Sequence, residues 1–153
     1  MTNTTQHDYA ARARQAIEIV CSGDVSRIEE FYSTDFVDHI NEMTFHGYEG
    51  GIESLSFYKT MFPNYSMGVE EQVTEGNRVA SRWVLNGTYH GRSVTLRGIT
   101  ISRLDEDGRT VEDRGHSDSI VLLRQIGVIR TLILGLEILT RRVKLPKGVL
   151  RGG

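Results

Sequence analysis

Pro63 divides this chain into two periodicities. Before it, apolar residues recur at intervals of three and four; after it, they sit in short extended stretches cut by glycine. A period near 3.6 buries one face of a helix and a period of two buries one face of a strand. The order therefore predicts an α+β fold, in which a run of helices covers one face of a mostly antiparallel sheet that forms later in the chain.

From Asp8 to Cys21, the residues Ala10, Ala13, Ile17 and Val20 form a helical stripe closed by "SGD". Asp24 is placed to cap a second short helix, "VSRIEEFY", before the chain extends through "DFVDHI". "HGYEGG" reads as a loop and "IESLSFYKTMFP" as a third helix, with Ile52, Leu55 and Tyr58 or Lys59 at its spacing and Pro63 ending it. Four extended segments follow, "YSMGVEEQVTEG", "NRVASRWVLNGTYHG", "RSVTLRGITISRLDEDG" and "RTVEDRGHSD", and "EGN" and "DEDG" read as hairpin turns. A curved sheet covered on its concave side by three helices leaves a cone, whose open end is a small-molecule pocket lined by alternate strand residues.

Composition narrows the function classes. The 153 residues fit one domain, with 39% hydrophobic and 25% charged residues, an ordinary globular balance. The net charge of -2 and the scatter of Lys and Arg until the last dozen residues leave no nucleic-acid footprint. The single cysteine, Cys21, excludes an internal disulfide framework and reads as a small core residue. Residues 1–10 carry neither the basic start nor the apolar run of a secretory signal, so a cytoplasmic protein is expected. The apolar stretch "VIRTLILGLEIL" is interrupted by Arg130 and Glu137 and reads as too short to span a bilayer, so no integral membrane segment is expected. No Gly-rich nucleotide loop, serine elbow or pair of histidines one helical turn apart is found; neither a cofactor nor a metal site is expected.

The stretch "VEDRGHSDSIVLLRQIG" sets Glu112, Arg114, His116 and Asp118 at every second position and then turns apolar. On a strand these share a face, and the expectation is that Arg114, His116 and Asp118 converge in the pocket. There Asp118 would be an acid or base whose pKa burial raises. Its alternative use is as the N-cap of "SIVLLRQIG". His116 would donate to Asp118 or to a substrate oxygen. Arg114 would hold an enolate or phenolate, or else pair with Glu112 or Asp113 at the surface. In "DFVDHI", Asp38 and His39 must point to opposite faces, and His39 is the expected pocket residue. In "RVASRWVLNGTYHG", either Arg82 with His90 or Trp83 with Tyr89 lines the cavity, and all four are substrate-binding candidates.

The order of "FYSTDFVDH", "FPNYSMGVEEQVTEGNRVASRWVLNGTYHG" and "GITISRLDEDGRTVEDRGHSDSIVLLRQIG" resembles the SnoaL-like polyketide cyclases of the nuclear-transport-factor-like cone superfamily, over about residues 10 to 127. The resemblance implies a cofactor-independent cyclase acting on a hydrophobic, oxygenated natural-product intermediate. Asp118 stands where the family carries the general acid/base of an intramolecular aldol ring closure, His39 matches the histidine after "VD", and His90 that of the "GTHxG"-like turn. It also implies a homodimer paired through the sheets. This chain departs from the family in having Arg114 where a tryptophan is usual, and in continuing beyond Gly127. Epoxide-opening cyclisation, epoxide hydrolysis or isomerisation use similar parts, and a non-catalytic ligand-binding or partner domain is the reading from another class.

Residues 128–153 lie beyond the cone domain of residues 1–127. Ile129, Leu132, Ile133, Leu136, Leu139 and Val143 form a helical stripe that Pro146 ends, with Arg130, Glu137 and Arg141 off it. The stripe is expected to pack on the cone or on a dimer partner. A membrane surface helped by Arg141, Arg142, Lys144 and Lys147 is the third destination. Closing the pocket would add Glu137 to the site as a further acid; its spacing from Arg141 also suits a surface ion pair.

Overall fold

The computed structural model describes residues 8–22 and 25–140. Asp24, the side chain of Val20, and the stretch from Arg141 onward, including Val143 and Pro146, lie outside the described residues. Helix α1 spans Tyr9–Ser22, a short 3₁₀ turn Val25–Arg27 leads into α2 at Ile28–Phe31, and strands β1 (Tyr32–Ile40) and β2 (Met43–His46) form a hairpin. Helix α3 covers Gly47–Met61, and four long strands follow: β3 (Ser66–Glu75), β4 (Arg78–Tyr89), β5 (Arg92–Leu104) and β6 (Thr110–Ser117). Helix α4, Ser119–Leu139, ends the described chain.

The six strands make one sheet in the order β2-β1-β6-β5-β4-β3. Every neighbouring pair is antiparallel except β1 with β6, which run parallel. Consecutive strands β3 to β6 pair through short turns because "EGN" and "DEDG" supply glycines at positive φ, Gly76 and Gly108. Strand β1 completes the sheet by lying against the last strand, and Asn41 fastens that contact. Its backbone N–H donates to the Gly115 carbonyl at 2.9 Å, and its side-chain oxygen accepts from Ser117 N–H at 3.0 Å.

On β4 the odd positions Val79, Ser81, Trp83, Leu85 and Tyr89 are buried, and on β5 Val94, Leu96, Ser102 and Leu104 are buried opposite them. This is the concave face. Helix α1 seals one part of it, with Ala13 against Val79 and Leu104. Ala16 joins a second cluster with Ile28, Phe31, Tyr32 and Phe36. A third cluster joins Met61 and Phe62 to Trp83, Leu85, Tyr89, Val94 and Leu96, closed from outside by Leu122, Ile126 and Leu134 of α4. Each such side chain stabilises the fold by about 1.5–3 kcal/mol when buried.

The expected α+β cone is present, with two local differences. "HGYEGG" is the start of α3 rather than a loop. Gly50 and Gly51 lie inside that helix, which passes close to neighbouring elements: a Cβ on Gly50 would stand 2.9 Å from the Phe45 backbone, and one on Gly51 3.4 Å from Ile28. Close approach, not turn formation, accounts for Gly50.

The second difference concerns α4, which begins at Ser119 and runs well before the tail stripe, with a break at Gly127 (φ 79°, ψ 166°). Its length and apolar composition would suffice to cross a bilayer, contrary to the shorter stretch read from the sequence. Most of the stripe does not lie on this chain's own cone. Leu134 is buried and Ile138 packs on the cone, whereas Ile129, Leu132, Leu136 and Leu139 are exposed.

Candidate active site

The concave face and its helices enclose a cavity of about 110 Å³, counted as the space open to the centre of a water molecule. Its walls are apolar on three sides: Ile17 and Ile19 from α1, Leu55 from α3, and Leu85 with Trp83 from β4. Trp83 is fixed by donating its indole N–H to the Thr100 hydroxyl at 3.0 Å, and it lies flat over Gly98, where a Cβ would come within 2.3 Å of the ring. The glycine is needed for that contact. Tyr58 and Tyr65 add hydroxyls to the lining.

Two carboxyl groups interrupt this apolar wall. Asp38 of β1 and Asp113 of β6 are register partners across the parallel strand pair, and both line the cavity. Asp113 is 8% exposed, while Asp38 is half-buried because it opens on the cavity. Burial, and then the charge of Asp113 beside it, push the Asp38 carboxyl up to about 8, with the donating Ser54 hydroxyl pulling the other way. Burial likewise raises Asp113, to about 6; a hydrogen bond from Ser102 opposes this and the Glu112 charge adds to it. Two like charges this close in low dielectric cannot both ionise cheaply, so the pair titrates as a unit and holds one proton near neutrality. One oxygen of Asp113, Oδ1, is buried with no hydrogen-bond partner among the described residues. The same two acids contribute to holding Tyr32 well above the ordinary phenol range, after burial, and the Asp38 charge does so for Tyr58.

Such a pair can give a proton to one substrate oxygen while its ionised partner takes one from carbon or hydroxyl. Cys21 also lines the cavity, but burial, followed by the nearby Glu18 charge, pushes its thiol up to about 12, so it is no thiolate nucleophile.

Of the residues expected from the sequence, Trp83 lines the cavity and His116 touches its rim, while the others fall elsewhere. The facing of β6 is the reverse of the one expected: Asp113, Gly115 and Ser117 line the cavity, and Glu112, Arg114 and His116 are turned to the outer face. Arg114 is 63% exposed and donates to Glu112 at 2.8 Å. Glu112 also receives Arg103 and lies 3.7 Å from His39, a surface cluster in which Arg114 first among causes lowers the Glu112 pKa. His39 is on that outer face too, its Nδ1 3.2 Å from the Thr44 hydroxyl. His116 touches the cavity rim, yet it is exposed and pairs in register with exposed Ile99. Asp118 is the N-cap of α4, accepting from Ile120 N–H at 2.9 Å and Val121 N–H at 3.2 Å. Its alternative use is the one observed.

On β4, Trp83 is inward and Arg82 outward, paired with Glu70 and Glu71. Tyr89, His90 and Glu137 do come together, but at the far tip of β4 rather than in the cavity. The Tyr89 hydroxyl donates to Glu137 at 2.7 Å, and His90 Nε2 lies 3.0 Å from the same carboxylate. They fasten α4 to the sheet. Among the described residues no three His, Cys, Asp or Glu side chains gather as metal ligands.

A signal for Asp38 and Asp113 was in the sequence. Phe36 and Ile40 share Asp38's parity on β1, so the apolar face carries the aspartate and not His39. On β6 the even positions from Glu112 to His116 are charged or imidazole, as a solvated face would be, and the odd ones include the small Gly115 and Ser117 that leave room for a cavity.

A curved sheet, helices packed on its concave side and an acid-bearing apolar cavity between them define an NTF2-like cone. The sequence matches the description SnoaL-like polyketide cyclase over residues 10–126, and the chain belongs to that family. Among solved structures it is similar to wild-type IdmH, a candidate polyketide cyclase from Streptomyces antibioticus, at 27% identity and a TM-score of 0.72, covering 80% of this chain and 100% of that one. A candidate polyketide cyclase from Bacillus cereus shares 23% identity with a TM-score of 0.67, over 78% of each chain. An NTF2-like protein of unknown function from Burkholderia pseudomallei shares 21% identity and a TM-score of 0.67, over 84% of this chain and 100% of that one; these two show the fold alone. No curated protein matches.

Proposed function

We propose that this protein is a cofactor-independent cyclase that closes a ring in a hydrophobic, oxygenated polyketide-like intermediate, with Asp38 and Asp113 as its proton-carrying pair. The observation that carries this reading is the placement of two carboxyls, Asp38 and Asp113, side by side on adjacent strands in the wall of an apolar cavity, where burial raises both. Family membership and the similarity to IdmH support cyclase chemistry as its class. In an aldol closure, the ionised member of the pair takes a proton from the carbon next to one carbonyl. As the enolate carbon attacks the second carbonyl, the protonated member gives its proton to that carbonyl's oxygen, which becomes a hydroxyl while the enolate oxygen returns to a carbonyl. The pair again holds one proton, now on the carboxyl that took it from carbon. Tyr58 is placed to hydrogen-bond a substrate oxygen, and Trp83 to hold a flat ring against the sheet. The apolar walls fold the chain so that the reacting carbons meet.

The outer face of the sheet supports a homodimer as the working form. Ile99 and Ile101 of β5 are half-exposed there beside Arg114 and His116, an aliphatic pair that the sheet of a second copy would cover.

The test uses the single tryptophan, Trp83, whose fluorescence reports occupancy of the cavity. Aromatic polyketide analogues are titrated first, and turnover of the binders is then compared between the native protein and Asp38→Asn or Asp113→Asn. Binding with turnover in the native protein alone supports the proposal. Turnover unchanged in both variants removes these acids from the chemistry, and binding without turnover in any form favours a ligand carrier.

A further inference from the structure

Beyond Gly127, helix α4 is turned inside out for a surface helix. Its polar side chains face the body of the protein: Glu137 accepts from Tyr89 and contacts His90, and Arg130 donates to the His90 carbonyl at 3.3 Å. Its aliphatic side chains face away. Val128, Ile129, Leu132, Leu136 and Leu139 are each between 61% and 79% exposed. No aromatic residue occurs anywhere after Tyr89, so this patch lacks the anchors typical of protein–protein interfaces.

Charge indicates what covers the patch. The chain from Thr140 to Gly153 holds Arg141, Arg142, Lys144, Lys147 and Arg151 and no Asp or Glu, although the whole protein has a net charge of -2. Positive charge is therefore gathered where the aliphatic stripe ends. An exposed aliphatic helix face continued by a polybasic stretch matches an anionic bilayer surface, with the aliphatics among the acyl chains and the bases at the headgroups. The opposite face of the helix is already committed to the cone through Leu134, Ile138 and Glu137, which leaves α4 the geometry of a helix lying along a surface and not of one crossing a bilayer.

We propose that α4 and the basic residues after it dock this protein peripherally on anionic lipid bilayers. The test is co-flotation of the full chain with phosphatidylcholine vesicles, with and without phosphatidylglycerol. The expected result is binding at least about tenfold stronger when phosphatidylglycerol is present, weakened by salt. Leu132→Glu with Leu136→Glu, and separately a chain with Arg141, Arg142, Lys144 and Lys147 changed to Ser, should each lose it while melting as the native protein does. Two outcomes overturn the proposal. One is no flotation of the native protein with phosphatidylglycerol vesicles at low salt. The other is flotation unaffected by the Leu132→Glu and Leu136→Glu pair. A native oligomer that this pair splits, with no flotation, assigns the stripe to a second copy of the chain instead.

Discussion

Asp38 and Asp113 stand side by side on parallel strands, each with its carboxyl on the cavity and each raised by burial into the range of neutral pH. Most of what can be tested about this protein follows from that placement.

Replacing either acid by its amide removes proton transfer while keeping the shape of the cavity. Asp38→Asn and Asp113→Asn should each lower kcat by about 10²-fold or more, measured as product formation, a loss of the size that removing a general acid or base produces. Arg114→Ala and His116→Ala, whose side chains are exposed, should leave kcat within about threefold. If the two pairs of variants behaved the other way round, the facing of β6 described above would be wrong.

The pair also makes stability depend on pH in a direction opposite to that of ordinary salt-bridged carboxylates. Both folded pKa values lie above the unfolded carboxylate value, so at neutral pH the folded state binds more protons than the unfolded one, and stability falls as pH rises. The contribution is complete below about pH 4 and is lost as pH passes about 6 and then about 8. Tm followed from pH 5 upward should fall by several degrees, and Asp113→Asn should flatten the curve. For the same reason kcat/KM should peak between those two values.

Gly98 is open to a single-atom test. Gly98→Ala would bring a Cβ to 2.3 Å from Trp83 and 2.6 Å from the His116 carbonyl. The indole must move, at a cost of about 1–3 kcal/mol. A lower Tm together with a shifted Trp83 emission is expected, and binding of flat ligands should weaken with it.

The outer sheet face is open to a test of assembly. Ile101→Asp, placed among exposed Ile99, Arg114 and Arg103, should yield monomers by light scattering if two copies pair there. It should leave the monomer folded, because the substituted side chain is outside the core.

At the other end of the molecule, Tyr89→Phe removes the hydroxyl that holds Glu137. It should cost about 1 kcal/mol and speed hydrogen exchange in the second half of α4 more than in the sheet.

The change of period at Pro63 was enough to read the class of fold and the four long strands, because alternation is a backbone property that tertiary contacts rarely override. Choosing which face looked inward required more than alternation. On β6 the row Arg114, His116 and Asp118 looked like chemistry, yet those side chains are the hydrated ones. The cavity instead took Asp113 between the buried Ser102 of β5 and Asp38 of β1. That neighbourhood depends on the parallel pairing of β1 with β6, which no local pattern encodes. Likewise the glycines of "HGYEGG" suggested a loop where helix and strand in fact press together. The tail stripe was legible as amphipathic, but hydrophobicity alone does not say which way such a stripe turns.

The parallel seam between β1 and β6 has a temporal consequence. It joins the first strand to the last, so a ribosome must have released nearly the whole domain before the two acids can meet, and contacts this distant along a chain form late and slowly. In a chain whose β6 has not yet docked on β1, Asp38 lacks its neighbour and the charge that helps to raise it. Competence for proton chemistry is thus acquired only when the architecture is finished.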